Sequence, residues 1–190
     1  MLHKFIYNLG LFFRNRKIKP SLAFLLESQY WSIEKIEAYQ YSRLKDLLAS
    51  AVTGSPYYAE LLMSKEGNLG NITSLEDLAQ LPTTSKAKLL ENTKKIQSSI
   101  VTERLYYSET SGSTGKPLVF YRNQSWDAWH NASVFRGYSW HGIQPWDRNG
   151  YLWGYNLSPK EALKTRILDA LQNRFRLFSY DQRDIERFCE

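Results

Sequence analysis

The sequence predicts an α/β protein, with a helical lead-in followed by the first part of a mixed or parallel sheet flanked by helices. Three observations carry that expectation. Through residue 100, apolar positions recur at helical spacing between Ser, Pro and Gly punctuation. From Arg104 short aromatic and β-branched runs flank a glycine-rich segment, the pattern of strand, loop and strand. Further on, strand-like and helix-like stretches alternate, as in strands joined by helical crossovers. Three segments follow: a basic amphipathic N-terminal stretch over 1–20, the lead-in over 21–100, and the start of an α/β domain over 101–190.

The N-terminal stretch places Leu2, Phe5, Ile6, Leu9, Phe12 and Phe13 at helical spacing, and residues 1–19 carry Lys4, Arg14, Arg16, Lys17 and Lys19 with no acidic residue. It is too short to span a bilayer and lacks the small-residue cleavage site of a signal peptide. Three readings stay open: an interfacial helix in weak contact with an anionic leaflet, a helix packed on its own domain, or a loosely ordered basic arm. Residues 22–30 form a second short helix. Ser32 caps a longer one that turns Ile33, Ile36, Leu44, Leu47, Leu48 and Ala51 inward and closes at Gly54. Ser55-Pro56 opens the next with a cap and a first-turn proline, Tyr57, Leu61 and Leu62 being its buried candidates. Asp77 takes the capping-box position of a short helix begun at Ser74, and Ser85 caps residues 86–92.

Beyond the glycine-rich segment, Ser125 caps a helix to about Trp140, whose Trp126, Trp129, Ala132 and Phe135 pack against the sheet rather than boxing a substrate ring. A loop over 141–148, with Asp147 and Arg148 paired, leads to a strand over 151–155. Ser158-Pro159-Lys160-Glu161 is a full helix-start signature, with Leu163, Ile167, Leu168 and Leu171 expected inward. A strand over 176–179 and a helix capped by Asp181 follow. That last helix has no stop signal, which marks the chain as the front portion of a longer domain.

The segment that organises the chain is Ser108-Glu109-Thr110-Ser111-Gly112-Ser113-Thr114-Gly115-Lys116-Pro117. Glycines let backbone N–H groups turn toward an anion, hydroxyls add donors, and Lys116 adds a point charge. A Walker A loop is excluded. Its pattern needs glycine at 110, where threonine stands, and Ser or Thr after the lysine, where Pro117 stands. Proline also pushes Lys116 toward an extended conformation, so the segment runs into a strand rather than opening a helix.

The Thr-Ser-Gly-Ser-Thr-Gly-Lys-Pro order resembles the phosphate-binding loop of the adenylate-forming enzymes, in particular the phenylacetate–CoA ligase branch and its capsule-biosynthesis (CapK-like) relatives. Three other passages are similar to that branch: Gly54-Ser55-Pro56-Tyr57-Tyr58, residues 72–92, and the turn at 141–148, where Trp146 replaces a usual glycine. The resemblance implies an incomplete ANL-type (acyl-CoA synthetase-like) N-terminal domain, with 101–190 opening the ATP-binding domain. It implies that Thr110, Ser111, Gly112, Ser113, Thr114, Gly115 and Lys116 hold the phosphates of ATP, with Lys116 in the catalytic, charge-neutralising role. ATP and Mg²⁺ would be required, a small carboxylic acid would be the substrate, and coenzyme A is the expected acceptor. The family's adenine, ribose and hinge motifs and its C-terminal lysine would lie beyond Glu190, leaving residues 1–190 alone inactive.

Composition bounds the alternatives. The formal charge of +6 suits an anionic ligand or surface, but the basic residues are scattered and form no nucleic-acid motif. Cys189 is the single cysteine, so neither an internal disulfide nor a cysteine-based zinc site can form. His3, His130 and His141 lack metal-ligand spacing. A cytoplasmic enzyme, peripheral to the inner face of the membrane through residues 1–19, accommodates these facts. Two other readings remain: a non-catalytic relative that binds a nucleotide or a partner, and a membrane-surface interaction module.

Overall fold

A computed structural model describes residues 1–63, 69–110, 115–152, 158–177 and 181–189. The protein is mixed α/β. Helices α1 (Leu2–Arg14), α2 (Ile18–Ser28), α3 (Ile33–Gly54) and α4 (Pro56–Met63) lead, followed by 3₁₀ turns at Leu69–Asn71 and Glu76–Gln80 and short helices α5 (Lys86–Glu91) and α6 (Thr93–Ile96). Strands β1 (Leu105–Glu109) and β2 (Val119–Asn123) precede α7 (Gln124–Ser139). Then come β3 (Asn149–Leu152), α8 (Pro159–Leu171), β4 (Arg174–Leu177) and α9 (Gln182–Cys189). The chain divides into two compact units, one of Leu26–Asp127 and one of Met1–Leu25 with Ala128–Glu190.

In the first of these units the caps predicted at Ser32, Ser55 and Ser85 are in place. The Ser32 hydroxyl accepts from the Lys35 N–H at 3.4 Å, and that of Ser85 from Lys88 at 3.3 Å. Ser55 does two jobs. Its hydroxyl accepts from the Tyr58 N–H at 3.3 Å and donates to the Lys95 carbonyl at 3.0 Å, tying the start of α4 to α6. Gly54 is buried, and a Cβ there would sit 2.5 Å from Ser98 Oγ. Its carbonyl accepts from the Ser99 N–H at 2.8 Å, so the end of α3 is a close approach that a larger residue would enter only by displacing the Ser98 hydroxyl. The Asp77 carboxylate accepts from the N–H groups of Thr73 and Ser74, both at 2.8 Å. Those bonds hold it below its ordinary range, and the turn it caps is 3₁₀ rather than α-helical. On α3 the predicted inward face holds only in part. Leu44 is buried, whereas Ile33 and Leu47 are exposed.

The other unit has its core at Tyr7, Ile18, Ala128 and Phe135, with Leu11, Leu22, Tyr138 and Trp146 packed around it. The Tyr7 ring meets Phe135 and Trp146 edge-on at centroid distances of 6.0 and 6.2 Å. Burial pushes its hydroxyl up to about 12. Strands β3 and β4 pair in parallel, Asn149 opposite Arg174 through Leu152 opposite Leu177, with α8 as the crossover. The parallel pairing expected from the alternation of elements is therefore present. The capping box at Ser158 and Glu161 forms in full.

In this unit α8 packs opposite to expectation, and α1, whose orientation the sequence left open, turns its apolar stripe outward. In α8 the predicted inward residues Leu163, Ile167, Leu168 and Leu171 are all exposed. Ala162 and Thr165 are half-buried on the other side, beside buried Asp169. The reason is an ion pair: Asp169 Oδ1 accepts from Arg176 Nη2 at 2.8 Å and Nε at 3.1 Å, clasping α8 to β4 through its polar face. In α1 the packed side is Tyr7 and Leu11, while Leu2, Phe5, Leu9, Phe12 and Phe13 are exposed. Among the described residues no helix is long and apolar enough to cross a membrane.

Candidate phosphate-binding hairpin

β1 and β2 form an antiparallel hairpin in continuous register, from Leu105 opposite Asn123 to Glu109 opposite Val119. Alternation puts Tyr107, Glu109 and Tyr121 on one face, where Tyr107 meets Tyr121 edge-on at 6.1 Å and its hydroxyl donates to Glu109 Oε2 at 2.7 Å. That hydrogen bond raises the Tyr107 pKa. The opposite face carries Tyr106, Ser108 and Arg122. Tyr106 Oη, Ser108 Oγ and Arg122 Nε are buried there without a hydrogen-bond partner, a state that native structures rarely tolerate.

The base of the hairpin is clamped by residues that the sequence reading did not single out. The Glu103 carboxylate, just before β1, accepts from the Ser125 N–H at 2.8 Å and its hydroxyl at 2.7 Å, just after β2. Asn123 Oδ1 accepts from the Trp126 N–H at 2.8 Å, so Asn123, not Ser125, caps α7. Asn123 was findable as a capping residue before a helical run. Glu103 was not, because its partner stands 22 residues away. The Gln97 side chain pairs with the outer edge of β2, its Oε1 accepting from the Tyr121 N–H at 2.8 Å and its amide donating to the Tyr121 carbonyl at 3.4 Å. A side-chain amide thus stands in for a neighbouring strand.

Of the predicted phosphate-binding residues, Thr110, Gly115 and Lys116 are described. The Thr110 N–H donates to the Leu118 carbonyl and its hydroxyl accepts from the Leu118 N–H, both at 3.0 Å, extending the ladder one step past Glu109. Gly115 has φ +85, a conformation that favours glycine. Lys116 is exposed. Ser111, Gly112, Ser113 and Thr114 lie outside the described residues. After Lys116-Pro117 the chain enters β2, and α7 begins only at Gln124, so the segment feeds a strand as its proline requires.

Neither a protein-family model nor a curated protein matches the chain. What marks the hairpin as a candidate site is its own chemistry: a donor-rich loop sequence, a left-handed glycine and an exposed lysine next to a two-stranded stem.

The tryptophans of α7 are only partly packed, one of them against a residue of β2. Trp126 lies beneath the Arg122 guanidinium at 4.1 Å, Trp129 meets Phe24 edge-on at 5.5 Å, and both are more than a third exposed. Asp147 does not pair with Arg148. Its carboxylate accepts from the Gln144 N–H at 2.7 Å and closes the turn. The strand expected over 151–155 begins at Asn149, and residues 153–157 lie outside the described residues. Among the described residues no cluster of His, Cys, Asp and Glu could hold a metal ion.

Proposed function

We propose that the chain belongs to an adenylate-forming ligase of the phenylacetate–CoA ligase type, with an ANL-like fold, working in the cytoplasm. The reaction joins a small carboxylic acid to ATP with release of pyrophosphate, and the acyl group then passes to coenzyme A. The observation that carries this reading is the loop between β1 and β2: a Thr/Ser/Gly run that ends in an exposed lysine and a proline and continues as a strand.

The chemistry asks little else of this region. As the carboxylate attacks the α-phosphorus, negative charge gathers on the departing pyrophosphate. Donors fixed in place beforehand stabilise that charge as it grows. One lysine–phosphate pair at ~4 Å is worth about 4 kcal/mol at an effective dielectric near 20. Lys116 supplies that charge. The Thr110 hydroxyl, which accepts from Leu118, keeps its proton for a phosphate oxygen. Ser111, Ser113 and Thr114 add hydroxyls by composition. Neutralising charge beyond what Lys116 supplies is the chemistry that a divalent cation bound together with ATP would contribute. Service in capsule or exopolysaccharide assembly is part of the same reading, taken from the resemblance alone.

The test is magnesium-ATP binding by the chain, together with acid-dependent ATP–pyrophosphate exchange in the intact protein, each with and without Lys116→Ala. Binding and exchange that both weaken in the variant support the ligase. Binding without exchange, across a panel of aryl and alkyl acids, favours a non-catalytic nucleotide-binding relative. Absence of binding removes the proposal.

A further inference from the structure

We infer that α1 is a docking element for an anionic lipid surface. Its polarity is reversed relative to a helix that serves only its own core. Tyr7 and Leu11 face the protein, while Leu2, Phe5, Leu9, Phe12 and Phe13 form the opposite side at spacings of three, four, three and one. Phe5 is 66% and Phe13 76% exposed. A continuous apolar stripe of this kind facing water needs a partner.

Charge selects the partner. Through residue 26 the chain holds Lys4, Arg14, Arg16, Lys17 and Lys19 and no acidic side chain, the first being Glu27. Four of those cations follow directly at the end of α1. The Arg16 guanidinium lies 4.0 Å over the Phe12 ring, which sets a cation beside the apolar stripe. Exposed phenylalanines bordered by basic residues match the boundary between acyl chains and anionic headgroups. A helix of 13 residues is about 20 Å long and cannot cross a hydrocarbon core of about 30 Å, so it lies in the plane of the surface. Tyr7, held in the core, fixes the helix to its unit, so docking would bring the folded protein to the membrane. The inference depends on α1 and not on the function of the hairpin.

The experiment is co-sedimentation of the full chain with phosphatidylcholine vesicles and with mixed phosphatidylcholine–phosphatidylserine vesicles, at low and high salt. Binding is expected to the mixed vesicles, falling as salt screens the cations. Phe5→Ser with Phe13→Ser should weaken it by roughly tenfold or more, and Arg16→Gln with Lys19→Gln by about fivefold per cation. These residues are exposed, so far-UV circular dichroism should match the wild type. The inference is overturned if the wild type stays in the supernatant with mixed vesicles, or if binding survives the double serine variant. It is also overturned if the chain is a dimer that the serine variant converts to monomer without any lipid binding, which would assign the face to a second copy.

Discussion

Thr110 and Leu118 exchange two hydrogen bonds across the neck of the loop, backbone N–H to carbonyl and backbone N–H to side-chain hydroxyl, each 3.0 Å long. The threonine side chain thus takes the place of a backbone acceptor just where the ladder ends. Those two bonds close the neck of the hairpin between Thr110 and Leu118. Replacing Thr110 by the near-isosteric valine should leave the Leu118 N–H without its acceptor and reduce stability by about 0.5–1 kcal/mol, measured by urea unfolding. Thr110→Ser should restore most of the loss. Equal stability of all three proteins would remove the neck from the account.

Lys116 is exposed, so Lys116→Ala should leave the urea midpoint unchanged. The same variant should slow ATP–pyrophosphate exchange by roughly 10²–10³-fold, the range seen on deleting one group that stabilises transition-state charge. Lys116→Arg keeps the charge and should recover part of the rate. A variant that loses stability in step with activity would assign the lysine a structural role instead.

Gly115 adopts φ +85, and among the described residues nothing crowds the position of a Cβ, so the cost of an alanine there is backbone strain. Gly115→Ala should destabilise by about 1 kcal/mol, from the left-handed conformation alone. Gly115→Asn, which tolerates that region better, should cost less. The ordering Gly, Asn, Ala in unfolding midpoint is the result to look for.

Asp169 is 5% exposed and faces Arg176 at 2.8 Å. Arg176→Met would leave that carboxylate buried and unpaired, costing about 3 kcal/mol. The double variant Asp169→Leu with Arg176→Met should recover most of this, since it removes both charges from a buried site. A double variant as unstable as the single one would show that the pair does more than neutralise itself.

Tyr7 should set an alkaline limit on stability. Its pKa is raised from 10.0 to about 12, chiefly by burial. A group with a raised folded-state value stabilises fully below its unfolded pKa. That contribution is lost as pH climbs from 10.0 through about 12, because the unfolded chain releases the proton first. Urea midpoints should therefore fall over this window in the wild type and fall less steeply in Tyr7→Phe. Parallel pH profiles for the two proteins would contradict the assignment.

Much of the local structure was readable from neighbours in sequence. Ser32, Ser85 and Ser158 cap the helices that follow them because a cap is decided within three residues. The strand–loop–strand around residues 105–123 was likewise legible from its aromatic and glycine punctuation. The exclusion of a Walker A turn needed only Thr110 and Pro117. Local spacing could not find Glu103 as a clamp or Gln97 as an edge partner, since each meets its target more than twenty residues away.

Periodicity also has a limit that α1 and α8 display. It identifies an apolar stripe but carries no sign for the direction in which the stripe points. In α8 the side that meets the sheet carries Asp169, paired with Arg176 of the next strand, while the leucine face is exposed. For α1 the direction followed from the fit of Tyr7 between Phe135 and Trp146, residues more than a hundred positions downstream. Caps, turns and the Thr/Ser/Gly-rich composition of the hairpin loop are short-range chemistry, written in the chain wherever three to ten residues suffice. Which side of a helix meets water is settled by long-range packing, and that information exists only once distant segments have come together.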